Sequence, residues 1–116
     1  MKPVLERSRP KVSVLDFAPE ELLARLRAAL ARHDVVAAWL IGSCARGDAR
    51  PWSDIDLILV CETALPFVER PRLFAALDDL GVPVDLLVYT PEEFAALEAD
   101  PTSFWRQTQI ERKPLL

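Results

Sequence analysis

Glycine is nearly absent from this chain, which has three in 116 residues, at positions 42, 47 and 81. Because glycine turns a backbone at little steric cost, each one marks a point where the chain must bend or be approached closely. Cysteine is scarcer still. Cys44 and Cys61 are the only two, and they lack CxxC spacing and a partner cluster, which argues against a thiolate metal site and fits reduced thiols in a cytoplasmic protein. Long apolar runs are missing as well. The longest, residues 35–41, falls far short of the roughly 20 residues that cross a bilayer, so no membrane partner is expected. Residues 1–12 carry charges and prolines throughout and hold no signal-peptide core.

Positive charge is in deficit. Fourteen Lys and Arg face eighteen Asp and Glu, a net charge of −4, and direct nucleic-acid binding normally needs a basic face. The one local exception is Lys2, Arg7, Arg9 and Lys11, which outnumber Glu6 and Asp16. That bias is too small for a binding arm, and a solvated, frayed terminus is expected.

What is present is a normal complement of core-forming residues, 51% apolar and 28% charged, enough for one buried core and one surface cleft. A single domain over residues 1–116 is expected, with residues 1–18 as an arm and 100–116 as a C-terminal helix and tail. Ten prolines punctuate it. Pro19-Glu20-Glu21 opens an amphipathic helix with Leu22, Leu23, Leu26, Ala29 and Leu30 on one face, ending at His33-Asp34. His33, the lone histidine, reads as a helix C-terminal residue without catalytic duty.

Residues 35–41 predict a buried strand stopped by Gly42, and residues 55–60 a second, broken only by Asp56. Pro71 introduces a helix through Leu80, stopped by Gly81. Residues 82–89 give a third strand, broken by Asp85. Thr90 caps a helix over 91–99 with Glu93 three residues on, and Pro101 starts a short helix carrying Phe104, Trp105 and Ile110. The sum is an α/β (α+β) fold, a small sheet with helices packed on it.

Carboxylates inside apolar strands are costly unless something pairs with or binds them. Asp54 and Asp56, two residues apart, leave the same strand face. If the second and third strands are neighbours, Asp85 joins them at one sheet edge. Three hard oxygen ligands together suit Mg²⁺, although each aspartate alone has a plainer account: a turn cap, a pairing with a distant arginine, or exposure on an edge strand.

Before them comes Gly42-Ser43-Cys44-Ala45-Arg46-Gly47, a tight turn from strand into short helix. Here Gly42 lets a phosphate approach, and the Ser43 hydroxyl with nearby amides can bind phosphate oxygens. Arg46 adds charge on that side. Cys44 reads as a semi-buried filler, Trp39 as core, and Trp52 as a residue that could edge the cleft and stack on a base. Phe104, Trp105, Ile110 and Leu115-Leu116 either pack on the sheet or form a partner-binding patch.

With ten residues between Ser43 and Asp54, the stretch WLIGSCARGDARPWSDIDLILV (residues 39–60) resembles the signature of the polymerase-β-like nucleotidyltransferase superfamily. Asp85 matches its third acidic position, and the likeness runs from the first helix to Glu98. The resemblance implies a polymerase β-like fold in which Asp54, Asp56 and Asp85 bind Mg²⁺ and carry catalysis. It implies that Gly42 and Ser43 hold the triphosphate, with Arg46 and Ser53 in supporting positions.

It further implies a nucleoside triphosphate, ATP, as substrate, and release of pyrophosphate as the nucleotide moves to an acceptor oxygen. The short chain is similar to the stand-alone minimal nucleotidyltransferases of bacteria and archaea. Members of that group are often antitoxins that neutralise a helical HEPN-type RNase toxin by adenylylation, so such a toxin is the implied partner, in a homo- or hetero-oligomer. The competing readings are a binding module that masks its partner without catalysis, and a transferase acting on a small molecule such as an aminoglycoside.

Overall fold

A computed structural model describes residues 12–116. Four strands form one mixed sheet in the order β3-β2-β1-β4. β1 (Ala37–Ile41) and β2 (Ile55–Val60) run antiparallel, β2 and β3 (Val84–Tyr89) run parallel, and β4 (Lys113–Pro114) pairs antiparallel with β1. β2 is central, which explains its sequence: Ile55, Leu57, Ile58 and Leu59 are completely buried, because a strand covered on both faces gains about 1.5–3 kcal/mol from each large apolar side chain.

The two faces carry two cores. On one, α1 (Pro19–Leu30) places Leu22, Leu26 and Leu30 against Leu40, Leu57, Leu59 and Val88. On the other, Ile41, Ile58 and Trp105 pack with Trp39, Leu87, Tyr89, Phe94 and Leu97. Helices α3 (Pro91–Glu98) and α4 (Ser103–Glu111) supply this second cluster. The Thr90–Glu93 capping box forms as predicted. Trp39, expected in the core, lies half-buried and stacks on Phe94 at 4.8 Å.

Several sequence expectations need correction. The predicted helix from Pro71 begins earlier, at Phe67, and winds as a 3-10 segment through Leu80 with a kink at Phe74. In a 3-10 turn residues three apart eclipse; Phe74 and Leu77 are buried, while Leu73 turns out to solvent. The arm predicted over residues 1–18 is packed from Val12 onward. A 3-10 turn, Val14–Asp16, is held by a Ser13 capping box and buries Val14 in the core. The frayed terminus expected around Lys2, Arg7, Arg9 and Lys11 lies outside the described residues.

The C-terminal tail carries the two-residue strand β4, beyond which Leu115 donates its N–H to the Ala38 carbonyl and is buried, and Arg112 pairs with Glu98 at 2.6 Å while lying over the Trp39 ring. His33 follows α1 and sets its ring 4.9 Å from Phe74, its Nε2 buried without a partner. The terminal apolar residues divide between the two expected roles, with Trp105 and Leu115 packed on the sheet and Phe104, Ile110 and Leu116 exposed.

A buried cation, invisible to periodicity, ties the 3-10 segment to the sheet. Arg70 donates to the carbonyls of Leu65 and Val88 and pairs with Glu93 of α3. Replacing Arg70 with Met is expected to lower the thermal midpoint, because two carbonyls lose a donor at once. Arg70, aided by the Thr90 amide, holds the Glu93 carboxyl down at about 2. A depressed acid stabilises the fold above its ordinary value and loses that contribution as pH falls toward the folded value. Wild type should therefore lose stability between about pH 4.5 and 2 more steeply than Glu93→Gln, as read by acid titration of circular dichroism.

Candidate active site

Asp56 stands at the meeting point of three strands. Its register partners are Asp85 on β3 and Ile41 on β1, so the aspartates are neighbours on one face and the chain turns at Gly42 immediately beside them. Asp54 precedes β2 and shares that face with Asp56. Burial is uneven: Asp56 is half-buried, whereas Asp54 and Asp85 are exposed. The plain account of Asp85 as an exposed edge-strand residue is thus true of its burial, but its position opposite Asp56 is what matters chemically.

Crowding of like charges leaves a clear signature. Burial, then Asp85 and Asp54, push the Asp56 carboxyl up to about 6, and only Arg46 pulls the other way. Burial and Asp85 also raise Asp54. Carboxylates crowded together in this way form a set that a cation would relieve, and their hard oxygens match Mg²⁺. Among the described residues, no group of three or more His, Cys, Asp or Glu side chains is already gathered as a metal cage.

Gly42 has φ +72°, and a Cβ there would stand 2.6 Å from Asp56 Oδ2. The backbone therefore comes as close to the acidic pair as a side-chain-free residue allows. Short helix α2 (Gly42–Arg46) follows and ends at Gly47 with φ +82°. Cys44 donates its Sγ–H to the Asp54 carbonyl at 3.5 Å, and burial followed by Asp56 raises its thiol pKa. That keeps it a bracing thiol and not a nucleophile.

Ser53 shapes the turn before Asp54: its Oγ accepts from the Arg50 amide at 2.8 Å. Arg46 is already engaged, with Asp48 at 3.3 Å and Glu111 at 3.4 Å.

A cavity of about 820 Å³ opens over this face, lined by Gly42, Arg46, Asp56 and Asp85 together with apolar Val84, Leu87 and Pro71. Ser43, Ser53 and Asp54 lie outside its wall, as does Trp52, which is 64% exposed. The far wall is the residue set that sequence reasoning missed. Phe104, Gln107, Thr108 and Glu111 of α4 all line the cavity. Their spacing of three, four and seven residues marks one helix face, a signal available in the sequence but masked by the neighbouring core residue Trp105.

A mixed sheet carrying paired carboxylates on adjacent strands beside a glycine turn is the polymerase β-like nucleotidyltransferase fold. The chain belongs to that family: the family described as polymerase beta, nucleotidyltransferase, matches residues 25–114. A relative from Haemophilus influenzae, "Probable protein adenylyltransferase MntA", is 40% identical over 60 residues, covering 48% of this chain and 53% of its own length. A bifunctional uridylyltransferase/uridylyl-removing enzyme of Xanthomonas campestris pv. campestris is 35% identical over 79 residues.

That match covers 66% of this chain, which spans only 9% of the Xanthomonas protein's length. Among solved structures, "Structure of putative minimal nucleotidyltransferase" aligns with TM-score 0.60 at 32% identity, covering 84% of this chain and 96% of its own. A toxin–antitoxin structure with AMP-PNP shares the fold, with TM-score 0.59 at 23% identity over 81% of this chain and 72% of that one. Among the described residues, no helix is long and apolar enough to cross a membrane.

Proposed function

We propose that this chain moves AMP from ATP to a hydroxyl of a partner protein, and that the partner is a HEPN-type toxin which the transfer neutralises. The observation that carries the proposal is the register of Asp56 with Asp85, with Gly42 packed against Asp56. The family match supports nucleotide transfer. The Haemophilus relative supports a protein acceptor, and the shared fold of the toxin–antitoxin structure supports the pairing at the level of architecture.

In the proposed reaction the acceptor oxygen attacks the α-phosphorus, the bond to the α–β bridging oxygen breaks, and pyrophosphate departs with the electron pair. Asp54, Asp56 and Asp85 would hold Mg²⁺, which when bound would supply charge stabilisation to the phosphoryl oxygens. One of the three would also take the hydroxyl proton on a carboxylate oxygen, and Asp85, exposed opposite Asp56, would be the one that an acceptor reaches. Gly42 and Ser43 would present backbone and hydroxyl donors to the β- and γ-phosphates, with Arg46 adding charge and Ser53 fixing the turn that carries Asp54. The cavity's apolar wall, Val84, Leu87 and Pro71, gives the nucleotide's flat base a surface that excludes water.

The test is the intact mass of the co-expressed neighbouring protein after incubation with this chain, Mg²⁺ and each nucleoside triphosphate in turn. Gain of one AMP, absent with an Asp54→Asn, Asp56→Asn double variant, is the expected result. A stable complex with unchanged mass would replace catalysis with masking, and no complex at all would point to a small-molecule acceptor.

A further inference from the structure

The titratable groups on the cavity wall are Arg46, Asp56, Asp85 and Glu111, one cation against three acids. A triphosphate brings several further negative charges, and Arg46 is the only protein cation lining the space among the described residues. Glu111 already holds it: Arg46 Nη1 lies 3.4 Å from both carboxylate oxygens of Glu111. The Glu111 side chain is only 10% exposed, and Gln107 Nε2, one turn earlier on α4, donates to it at 3.0 Å. Gln107, Arg46 and the Gly42 backbone amide all favour its ionised form.

A carboxylate paired with a guanidinium on a cavity wall that Gly42 shares is held as a phosphate oxygen would be held. We infer that Glu111 competes with the nucleotide by occupying the triphosphate subsite from α4, so that nucleotide binding must displace it from Arg46. The inference rests on the reading of Gly42 and Arg46 as phosphate-binding groups. Because α4 hands the chain directly to β4 at the sheet edge, displacement of Glu111 would be felt at the C-terminal end of the fold, away from the strands that carry the aspartates.

The experiment is titration of wild type, Glu111→Gln and Gln107→Ala with ATP and Mg²⁺ by calorimetry, with circular dichroism to confirm that each is folded. Glu111→Gln keeps the shape and removes the competing charge, so ATP should bind about 5-fold more tightly. Gln107→Ala, which only loosens Glu111, should tighten binding by less. Binding in Glu111→Gln where wild type shows none would support the inference more strongly still. Equal or weaker binding in Glu111→Gln would overturn it and make Glu111 a support for Arg46, leaving the nucleotide site intact. Failure of all three folded proteins to bind would remove the nucleotide site itself and the inference with it.

Discussion

Asp56→Asn should abolish nucleotide transfer and yet raise the melting temperature of the metal-free protein above pH 6. The two effects have one cause. Burial and two neighbouring carboxylates push Asp56 to about 6 from an ordinary 3.8, so the folded state binds a proton that the unfolded chain has already released. A raised acid leaves stability untouched below about pH 3.8. It costs stability progressively as pH climbs to about 6, and the full cost persists above.

At about 1.4 kcal/mol per pH unit the shift corresponds to at most about 3 kcal/mol. Asp56 is only partly buried, so solvent screening reduces this to about 1 kcal/mol, a few degrees of melting temperature. Asn keeps the side-chain shape but carries no charge.

Thermal melts of both proteins from pH 3 to 8 should coincide below about pH 4, separate progressively from there to about pH 6 and differ fully above it, while transfer falls about 100- to 1000-fold, the scale of a lost electrostatic stabiliser. Equal melting temperatures at pH 8 would show that the carboxylates do not strain the fold, and retained transfer would remove Asp56 from the chemistry. Asp54→Asn should lose transfer as fully with little stabilisation, because Asp54 is exposed. A site that costs stability in order to work is a common arrangement in enzymes.

Gly42→Ala should lower transfer about 100-fold while costing only about 1–2 kcal/mol of stability. Two physical terms separate here. At φ +72° an alanine adopts a left-handed conformation that L-residues avoid, a cost of about 1–2 kcal/mol. Its Cβ would also meet Asp56 Oδ2 at 2.6 Å, a clash relieved cheaply by rotating the carboxylate. Rotation spares the fold but turns Asp56 away from the position opposite Asp85.

Urea unfolding and a transfer assay on the same preparation read the two terms independently. A large stability loss with proportionate activity loss would mean that Gly42 serves the fold alone. Gly47, where an added methyl group would meet nothing within 4 Å, provides the control, since Gly47→Ala should carry the backbone cost without the catalytic one.

Much of the fold and site is legible in the sequence. The core strand residues 55–60 announce themselves by a continuous apolar run, and Asp56 by interrupting it. Thr90 and Glu93 spell out a capping box that forms as read. Other features leave no local trace. Pro71 suggests a helix start because proline suits first turns, but the segment begins at Phe67 in 3-10 geometry, since packing against the sheet outweighs a weak local preference. The pairing of Arg70 with Glu93 joins residues 23 apart, and β4 is two residues long, too short to show a period.

The amino-acid order by itself determined which residues could serve a phosphate-transfer site: a glycine where the backbone must turn, and aspartates where apolar strands should have none. Local chemistry sufficed there, because the steric freedom of glycine and the cost of burying a charge belong to the residues themselves. Only the tertiary structure decided that Asp56 and Asp85 face one another in a parallel register. It also decided that Gly42 closes on Asp56 and that α4 brings Glu111 to Arg46 across 65 residues of chain. Those are facts of register and packing, and they arise only when separate segments bury their apolar faces against one sheet.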